Sequence, residues 1–583
     1  MKKELFNDKF NGNLERKKAI FARYTPISFE DLQQGAMDIR WFKEAYNKLG
    51  DEHFQILYKS AKYISETNKH TRARKYADAV LGKYQVDDTE NQILDKRNKD
   101  LLMAYALIPL VDLDDCLRRY KFIHEFKKSS KAFGSQRRTS ESIAVQMAIR
   151  NLAANAGFED DTRLILYMES KLTDEIAWAF DWVAIQDDVQ VRLALCKENY
   201  ALSLECQNHG KLLKSIPSKY GKHETVVKLR EINQQLRDQI SRTRQMFEEF
   251  MEKGTELKLD EIQTLMRNRI SGSILQNLVF MLGNHSVYYG ENGFENPKGI
   301  KFSLTPRAAF RIAHPYDLYQ CGDWAFYQKY LFEHQIRQPF KQVFRELYLL
   351  TDEEREMHYS YRFAGNQIKP RKTVGCLKGR RWVADYEEGL QKIYYKENIV
   401  AHIYAIADWF SPSDIEYPTI EYVEFYDRNT YEPLLLKDIP PVVFSEVMRD
   451  VDLAVSVAHA GEVDPETSHS TIEMRKLIAE YNMTLFGFKN VSFTERHAHI
   501  EGKRASYNIH LGSGVIFQIG GAQIAVLPVH SQHRGKLFLP FIDEDPQTAE
   551  IMTKIIFFAN DLKIKDPYIL NQIRQGDKPN TEE

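Results

Sequence analysis

A chain of 583 residues is too long for one hydrophobic core, so about three or four domains are expected. Apolar and charged fractions of 43% and 28%, with 33 Phe and 31 Tyr, exclude a largely disordered chain. A formal charge of −2 excludes a global field that would draw in a polyanion, so any such contact must be local.

Cys116, Cys196, Cys206, Cys321 and Cys376 are widely spaced, odd in number and form no C-x-x-C pair. That usage fits a reducing cytosol and argues against a disulfide scaffold or a Cys-rich zinc site. No apolar core of signal-peptide length follows Met1-Lys2-Lys3. The uncharged runs 271–290 and 505–533 are broken by Gly, His, Asn or Gln, so neither reads as a membrane span. A cytoplasmic protein away from membranes is expected.

Residues 1–30 are polar and expected to be loosely ordered. A helical domain is predicted over 31–185, from Trp41, Phe42, Ala45, Tyr46 and Leu49 and again from Ile143, Met147, Ile149 and Leu152 at helical spacing. Its helix pairs suggest an irregular α-solenoid without a fixed repeat. Over 186–290 the pattern changes. Val189, Val191, Leu193 and Leu195 alternate, as do Tyr200, Leu202 and Leu204, which predicts a hairpin. An amphipathic helix follows from about Lys222 to Lys253, with Val226, Leu229, Ile232, Leu236, Ile240, Phe247 and Phe250 on its apolar face. The mixed region 291–440 should hold a helix opening at Pro339, with Phe340, Val343, Phe344 and Leu347 on one face, and a strand over 419–425. For 441–583 an α/β domain is predicted: a helix over 443–448 leading into a buried strand over 453–458, then a helix capped by Ser470 and Glu473. Strands are predicted at 491–500, 505–511, 515–519 and 523–529, and a last helix opens at Pro546. The fold class is thus α+β and multidomain, with a helical N-terminal half and a mixed C-terminal part containing antiparallel strands.

Several stretches resemble the MolR-like, WGR-associated family. They are Phe133-Gly134-Ser135-Gln136-Arg137-Arg138, Asn151-Leu152-Ala153-Ala154-Asn155, His314-Pro315-Tyr316-Asp317-Leu318, Gln338-Pro339-Phe340-Lys341-Gln342-Val343-Phe344-Arg345-Glu346-Leu347-Tyr348, residues 444–453, and Val529-His530-Ser531-Gln532-His533-Arg534-Gly535. The resemblance runs through nearly the whole chain after residue 30. It implies kinship and brings no established activity. Larger relatives carry further N-terminal repeats or a WGR module, neither of which is found in this sequence.

Four groups of residues carry chemistry. Residues 116–138 hold Arg118, Arg119, Lys121, Lys127, Lys128, Lys131, Arg137 and Arg138 against Glu125, and residues 369–381 hold Lys369, Arg371, Lys372, Lys378, Arg380 and Arg381 beside Trp382. Facing one groove, they would track a phosphate backbone while Trp382 or Tyr361 stacks a base. The plain alternative is solvated faces paired with acids such as Asp112, Asp114 and Asp115. A two-residue Gly502-Lys503 turn would place Glu495, His497, His499, Ser506, Asn508 and His510 on one sheet face, for a metal or proton transfer, or simply as a wet face. His530, His533 and Arg534 follow a strand end, where a loop can hold phosphate or act in acid–base chemistry, or bond only to its own backbone. Asp450 and Asp452, with His459, Asp464 and Glu473, would share a divalent metal if they open a strand, whereas Asp450 could simply cap a helix.

Phosphate-loop, G-x-S-x-G and H-E-x-x-H motifs are absent from the sequence. The reading is therefore a cytosolic binding or scaffold protein that contacts nucleic acid, a phosphorylated ligand or a protein partner. The alternative is a phosphoryl- or nucleotide-transforming enzyme, such as a metal-dependent nuclease or phosphoesterase, built on His530, His533, Arg534, Asp450 and Asp452.

Overall fold

The computed structural model describes residues 25–575 except 26, 28, 64–68, 187, 197–198, 291–292, 303–304, 306–307, 386–388, 408, 410–411, 413–416, 459–467, 522, 527–536 and 543–544. The chain divides at Trp178 into two compact units. The fold is α+β and multidomain, helical in its N-terminal part, with every strand pairing antiparallel in the four sheets that follow.

In the first unit the helices are α1 (Phe29–Gln34), α2 (Ile39–Ser60), α3 (Lys69–Val80), α4 (Val86–Lys96), α5 (Lys99–Tyr105), α6 (Leu113–Ser129), α7 (Ser135–Ala156) and α8 (Asp161–Glu175). Four of them start on a carboxylate or amide, Asp38, Asn98, Asp112 and Asp160, whose side chain accepts the backbone N–H three residues on. Each cap satisfies a donor that the helix cannot satisfy itself. Gly50, at φ 71°, breaks α2 into two helical stretches. The core is Leu101–Tyr105 of α5, with Tyr120, Ile123 and Phe126 of α6 and Val145, Ala148 and Leu152 of α7. At its rim Arg97, itself at φ 45°, donates to both oxygens of buried Glu141 at 3.0 and 2.7 Å.

The second unit opens with the meander β1 (Val183–Gln186), β2 (Val189–Leu195), β3 (Leu202–Asn208) and β4 (Lys211–Leu212). The expected hairpin is there, with Leu193 opposite Leu204. The long helix is α9 (Glu224–Lys253), and all seven apolar positions read from the sequence are buried. A second sheet, in the order β5-β9-β6-β7-β8, comprises β5 (Leu257–Lys258), β6 (Val279–Leu282), β7 (His285–Gly290), β8 (Gly293–Glu295) and β9 (Ala309–Ile312). The helices α10 (Leu259–Arg267), α11 (Arg269–Leu275), α12 (Pro315–Cys321) and α13 (Trp324–Glu333) flank it in sequence.

The predicted helix at Pro339 does not form. Residues 338–350 carry no regular secondary structure, yet Gln338, Phe340, Gln342, Val343, Phe344, Arg345 and Tyr348 are almost fully buried. Side chains take over the work of a backbone ladder. Gln342 accepts from Val279 N–H at 2.9 Å and donates to the Val279 and Ala313 carbonyls, Gln338 accepts from Val343 N–H, and Ser445 Oγ accepts from Tyr348 N–H. A buried segment is tolerable only when its polar backbone is satisfied in this way.

The third sheet, in the order β10-β14-β13-β12-β11, contains β10 (Tyr359–Ser360), β11 (Trp382–Asp385), β12 (Gly389–Tyr394), β13 (Ile399–Ala405) and β14 (Ile420–Asp427); α14 (Pro370–Lys378) precedes β11. Leu390, Ala401, Ile403, Val423 and Phe425 face inward against α15 (Pro441–Ala458). That single helix replaces the predicted helix-then-strand. Short apolar runs are ambiguous, and here Val443, Val447, Val451, Ala454, Val455 and Ala458 continue the helical period. Next comes α16 (His469–Phe486), whose cap is Ser468 rather than Ser470; Ser468 Oγ accepts from Thr471 N–H, while Glu473 lies exposed near His469.

The last sheet is the meander β15 (Val491–Phe493), β16 (His497–Glu501), β17 (Ser506–His510), β18 (Ile516–Gln518) and β19 (Gln523–Ile524), followed by α17 (Pro546–Ala559) and α18 (Pro567–Gln575). The predicted strand 491–500 is two strands, turned at Thr494, whose Oγ1 accepts from His497 N–H. Between β16 and β17 the loop has four residues instead of two, because the Asp561 carboxylate accepts the N–H groups of Lys503 and Arg504 at 3.0 and 2.5 Å. The register moves by two residues, which leaves each side chain on its predicted face: Ala498, Ile500, Tyr507 and Ile509 are buried.

Candidate functional site

The most heavily functionalised region of the second unit is a buried ionic cluster joining α9, the 338–348 segment, α15 and β11–β12. At its centre Arg345, wholly buried, donates to both Glu446 oxygens at 2.6 Å, to Glu248 at 2.6 Å and to Glu252 at 3.0 Å. His314 caps α12 with Nδ1 accepting from Tyr316 N–H, so its Nε2 carries the proton and donates to Glu446 at 3.0 Å. Burial alone would raise the Glu446 carboxyl, but Arg345 outweighs it and holds the group well below its usual range. Glu252 shifts the other way, because burial and the neighbouring Glu446 charge both favour its protonated form. Lys341 donates to Glu346 and Asp545 at 2.7 Å each, and Arg449 donates through Nε to Glu346 at 2.8 Å. The Arg449 Nη1 atom is buried with no hydrogen-bond partner among the described residues.

Asp450 and Asp452 belong to this cluster, but not as a shared metal site. On a helix, residues two apart point about 200° away from one another. Asp450 accepts from Lys392 Nζ at 2.7 Å, Trp382 Nε1 at 2.9 Å and Arg380 Nη1 at 3.1 Å. Although burial opposes ionisation, Lys392 and Arg380 keep its carboxyl below the usual range. Asp452 accepts from three hydroxyls instead, Tyr348 at 2.6 Å, Thr471 at 2.7 Å and Ser468 at 3.0 Å. The donors available to each carboxylate are thus internal. The cluster ties a helix, an irregular segment and a sheet edge into one assembly, and such satisfied networks specify a unique packing. His459 and Asp464 lie outside the described residues, as do His530, His533 and Arg534. Among the described residues no group of three or more His, Cys, Asp or Glu is arranged to hold a metal ion.

Six of the fourteen basic residues read from the two stretches are likewise paired internally. In the second unit Arg380 goes to Asp450, and Arg381 to Glu249 at 2.9 Å and to Glu252. Trp382 is 4% exposed with its indole N–H on Asp450, so it has no open face to stack a base. Lys372 and Arg371 remain exposed without a carboxylate partner among the described residues. In the first unit Arg119 is wholly buried, bound to Asp115 and to the carbonyls of Tyr105, Ile108 and Pro109, which is a structural role rather than a surface one. Arg118 pairs with Asp87 at 3.0 Å, Lys121 with Glu175 at 2.7 Å, and Arg137 with Glu141 at 3.0 Å. Lys128 and Lys131 are exposed and without a carboxylate partner among the described residues, with half-buried Arg138 beyond them.

Against this geometry three family models match. Residues 7–168 match a family of unknown function (DUF5724), residues 210–382 a domain of unknown function (DUF4132), and residues 472–573 a domain of unknown function (DUF7737). None names an activity. No curated protein and no solved structure matches the chain.

The histidine hairpin keeps its predicted polar face. His497 and His510 are paired with ring centroids 5.0 Å apart, His499 Nδ1 lies 2.9 Å from Asn508 Oδ1, and His510 Nδ1 accepts from Ser513 N–H at 3.1 Å. Burial first, and then Arg496, lower the His497 pKa. Beyond β18 and β19 a cavity of about 300 Å³ is lined by Ser513, Val515, Gln523, Ala525, Lys554 and Tyr568. Sequence reasoning singled out Asp450, Arg380 and Arg381 but missed that Arg345, Glu446, His314, Glu252 and Lys392 complete their surroundings. The available signal was charge inside apolar runs: Arg345-Glu346 between Val343-Phe344 and Leu347, and Lys392 on an inward strand position.

Among the described residues no helix is long and apolar enough to cross a membrane.

Proposed function

We propose that this chain is a binding or scaffold protein whose ligand is a phosphate-bearing polyanion, nucleic acid being the principal case. One observation carries the reading. Of the basic residues read from 116–138, Lys128 and Lys131 keep no carboxylate partner among the described residues and lie close together in sequence where α6 ends and α7 begins. They flank a helix start at which Gly134 provides no side-chain acceptor, so the leading N–H groups add their partial positive charge. Kinship with the MolR-like, WGR-associated family is part of the same proposal, supported by the segments around Phe133, His314, Gln338 and Phe444. The competing enzyme reading would need Asp450 and Asp452 turned toward a substrate, and both are occupied by internal donors.

The test is charge reversal, Lys128→Glu with Lys131→Glu, read by fluorescence anisotropy on a labelled single strand across a salt series. Each phosphate contact removed should reduce the slope of log K against log salt by roughly 0.7. The double variant should lose about 1.4 in slope and at least tenfold in affinity at low salt. Unchanged affinity and slope would overturn the reading.

A further inference from the structure

The outward face of the third sheet is an aromatic row. Along β10, β14 and β13 the cross-strand register sets Tyr359 opposite Glu424, Tyr422 opposite Tyr404, and Glu424 opposite His402. Ring centroids follow in sequence: Tyr361 to Tyr422 6.2 Å, Tyr359 to Tyr422 4.8 Å, Tyr422 to Tyr404 4.7 Å with planes 1° apart, then Tyr404 to His402 6.0 Å. The opposite face of these strands, Ile403, Val423 and Phe425, carries the core, so the tyrosines are not needed to close it. Tyr361 at the row's end is 55% exposed, and Tyr417 at the start of the same edge is 49% exposed. Cations gather at that end. Ile420 N–H donates to the Asn366 carbonyl and Ile368 N–H to that of Pro418, which brings Lys369 over the Tyr417 ring at 5.9 Å and starts α14 with exposed Arg371 and Lys372. Glu424, the carboxylate within the row, is paired with His402 at 2.8 Å, leaving Glu421 as the exposed acid of that strand.

We propose that this face is a stacking surface for the unpaired bases of single-stranded nucleic acid, with exposed Tyr361 taking a base face at the end of the self-stacked row of Tyr359, Tyr422 and Tyr404, and Lys369, Arg371 and Lys372 the adjoining phosphates. The inference rests on the polyanion reading above and sharpens it to single strands. Aromatic rings in sequence beside uncompensated cations match a ligand that alternates flat apolar faces with negative charge. A duplex keeps its bases stacked inside and cannot use the rings.

Three ligands of equal phosphate number separate the possibilities: a base-bearing single strand, an abasic strand and a duplex, each titrated by anisotropy against the full chain. The base-bearing strand should bind at least tenfold tighter than the abasic one. Tyr361→Ala should remove about tenfold of that preference without altering the salt slope, while Tyr361→Phe retains it. Arg371→Ala with Lys372→Ala should lower the slope instead. Tyrosine nitration followed by peptide mapping should show Tyr361 and Tyr417 modified in the free chain and protected by the strand. Equal binding of base-bearing and abasic strands, or no effect of Tyr361→Ala, would overturn the stacking surface and leave the polyanion reading standing. Protection that rises with protein concentration alone would assign the face to a second copy and also overturn it. Failure of all three ligands to bind at low salt would remove both proposals together.

Discussion

Replacing Arg345 with Met tests whether the buried cluster holds the second unit together. The guanidinium is wholly buried and serves Glu446, Glu248 and Glu252 at once. Without it Glu446 keeps, among the described residues, the hydrogen bond from His314, while Glu248 loses Arg345 and Glu252 keeps Arg381, so carboxylates crowd a low-dielectric site. Removing one partner of a buried pair costs about 3–5 kcal/mol, most of it from the charge left behind. Arg345→Met should therefore destabilise the region by that order, and adding Glu446→Gln should recover about 1–3 kcal/mol. Hydrogen exchange over 338–348 and 441–458 isolates the effect from the rest of a chain that need not unfold in one step. At ~1.4 kcal/mol per tenfold, exchange there should accelerate by roughly two to four orders of magnitude. The sign with pH follows from the shifts. In the native chain Glu446, held low, contributes stability that is present above its usual range and lost as pH falls below about 4.5. In the variant the same carboxyl, buried without its arginine, is raised, so its defect is largest at neutral pH and shrinks on acidification. A change below about 1 kcal/mol, or a double variant worse than the single, would show that Arg345 does not hold this region together.

Gln342→Leu should cost about 2–4 kcal/mol by hydrogen exchange in the same segment, since it removes the partner of the Val279 N–H and of the Ala313 carbonyl in a site with no exposure. Gly502→Ala should destabilise the last sheet by about 1–3 kcal/mol in thermal melts, because a Cβ there would meet the Asp561 carboxylate and come within 2.5 Å of the Ala505 carbonyl oxygen. In the first unit, hydrogen bonds from Arg97 first, then Ser130 and Arg137, hold the Glu141 carboxyl down to about 2 against the burial that opposes them. Its contribution should be complete above about pH 4.5 and vanish as pH falls toward 2, and Glu141→Gln should flatten that acid limb in limited proteolysis of residues 113–156.

How far the sequence could be read depended on where stability is decided. Helix α9 was legible because seven apolar residues repeat at helical period over thirty positions, a signal no tertiary contact needs to rescue. Hairpin faces were legible too, because alternation survives a register error of two residues, as the His497–His510 pair shows. The 338–348 segment was not, since Pro339 and its apolar spacing are those of a helix, and only the partners Val279, Ala313 and Ser445 make an irregular path satisfiable. For α15 the run Leu453–Ala458 fits either period, and the sheet packed against it decides. Asp450 was singled out as a catalytic or metal-binding candidate, but its surroundings are Lys392, Trp382 and Arg380, which arrive from 58 to 70 residues away. The aromatic row was invisible for the same reason: Tyr361, Tyr404 and Tyr422 become neighbours only once β10, β13 and β14 are paired.

The exposed lysines at the junction of α6 and α7 are proposed to recognise phosphate. The most direct measurement is the affinity of the full chain for a labelled single strand of about twenty nucleotides, followed from low to physiological salt. Measurable binding is expected at low salt, falling with a log–log slope of roughly −2 or steeper, corresponding to three or more phosphate contacts. Binding that is absent at low salt, or that is insensitive to salt, would contradict it.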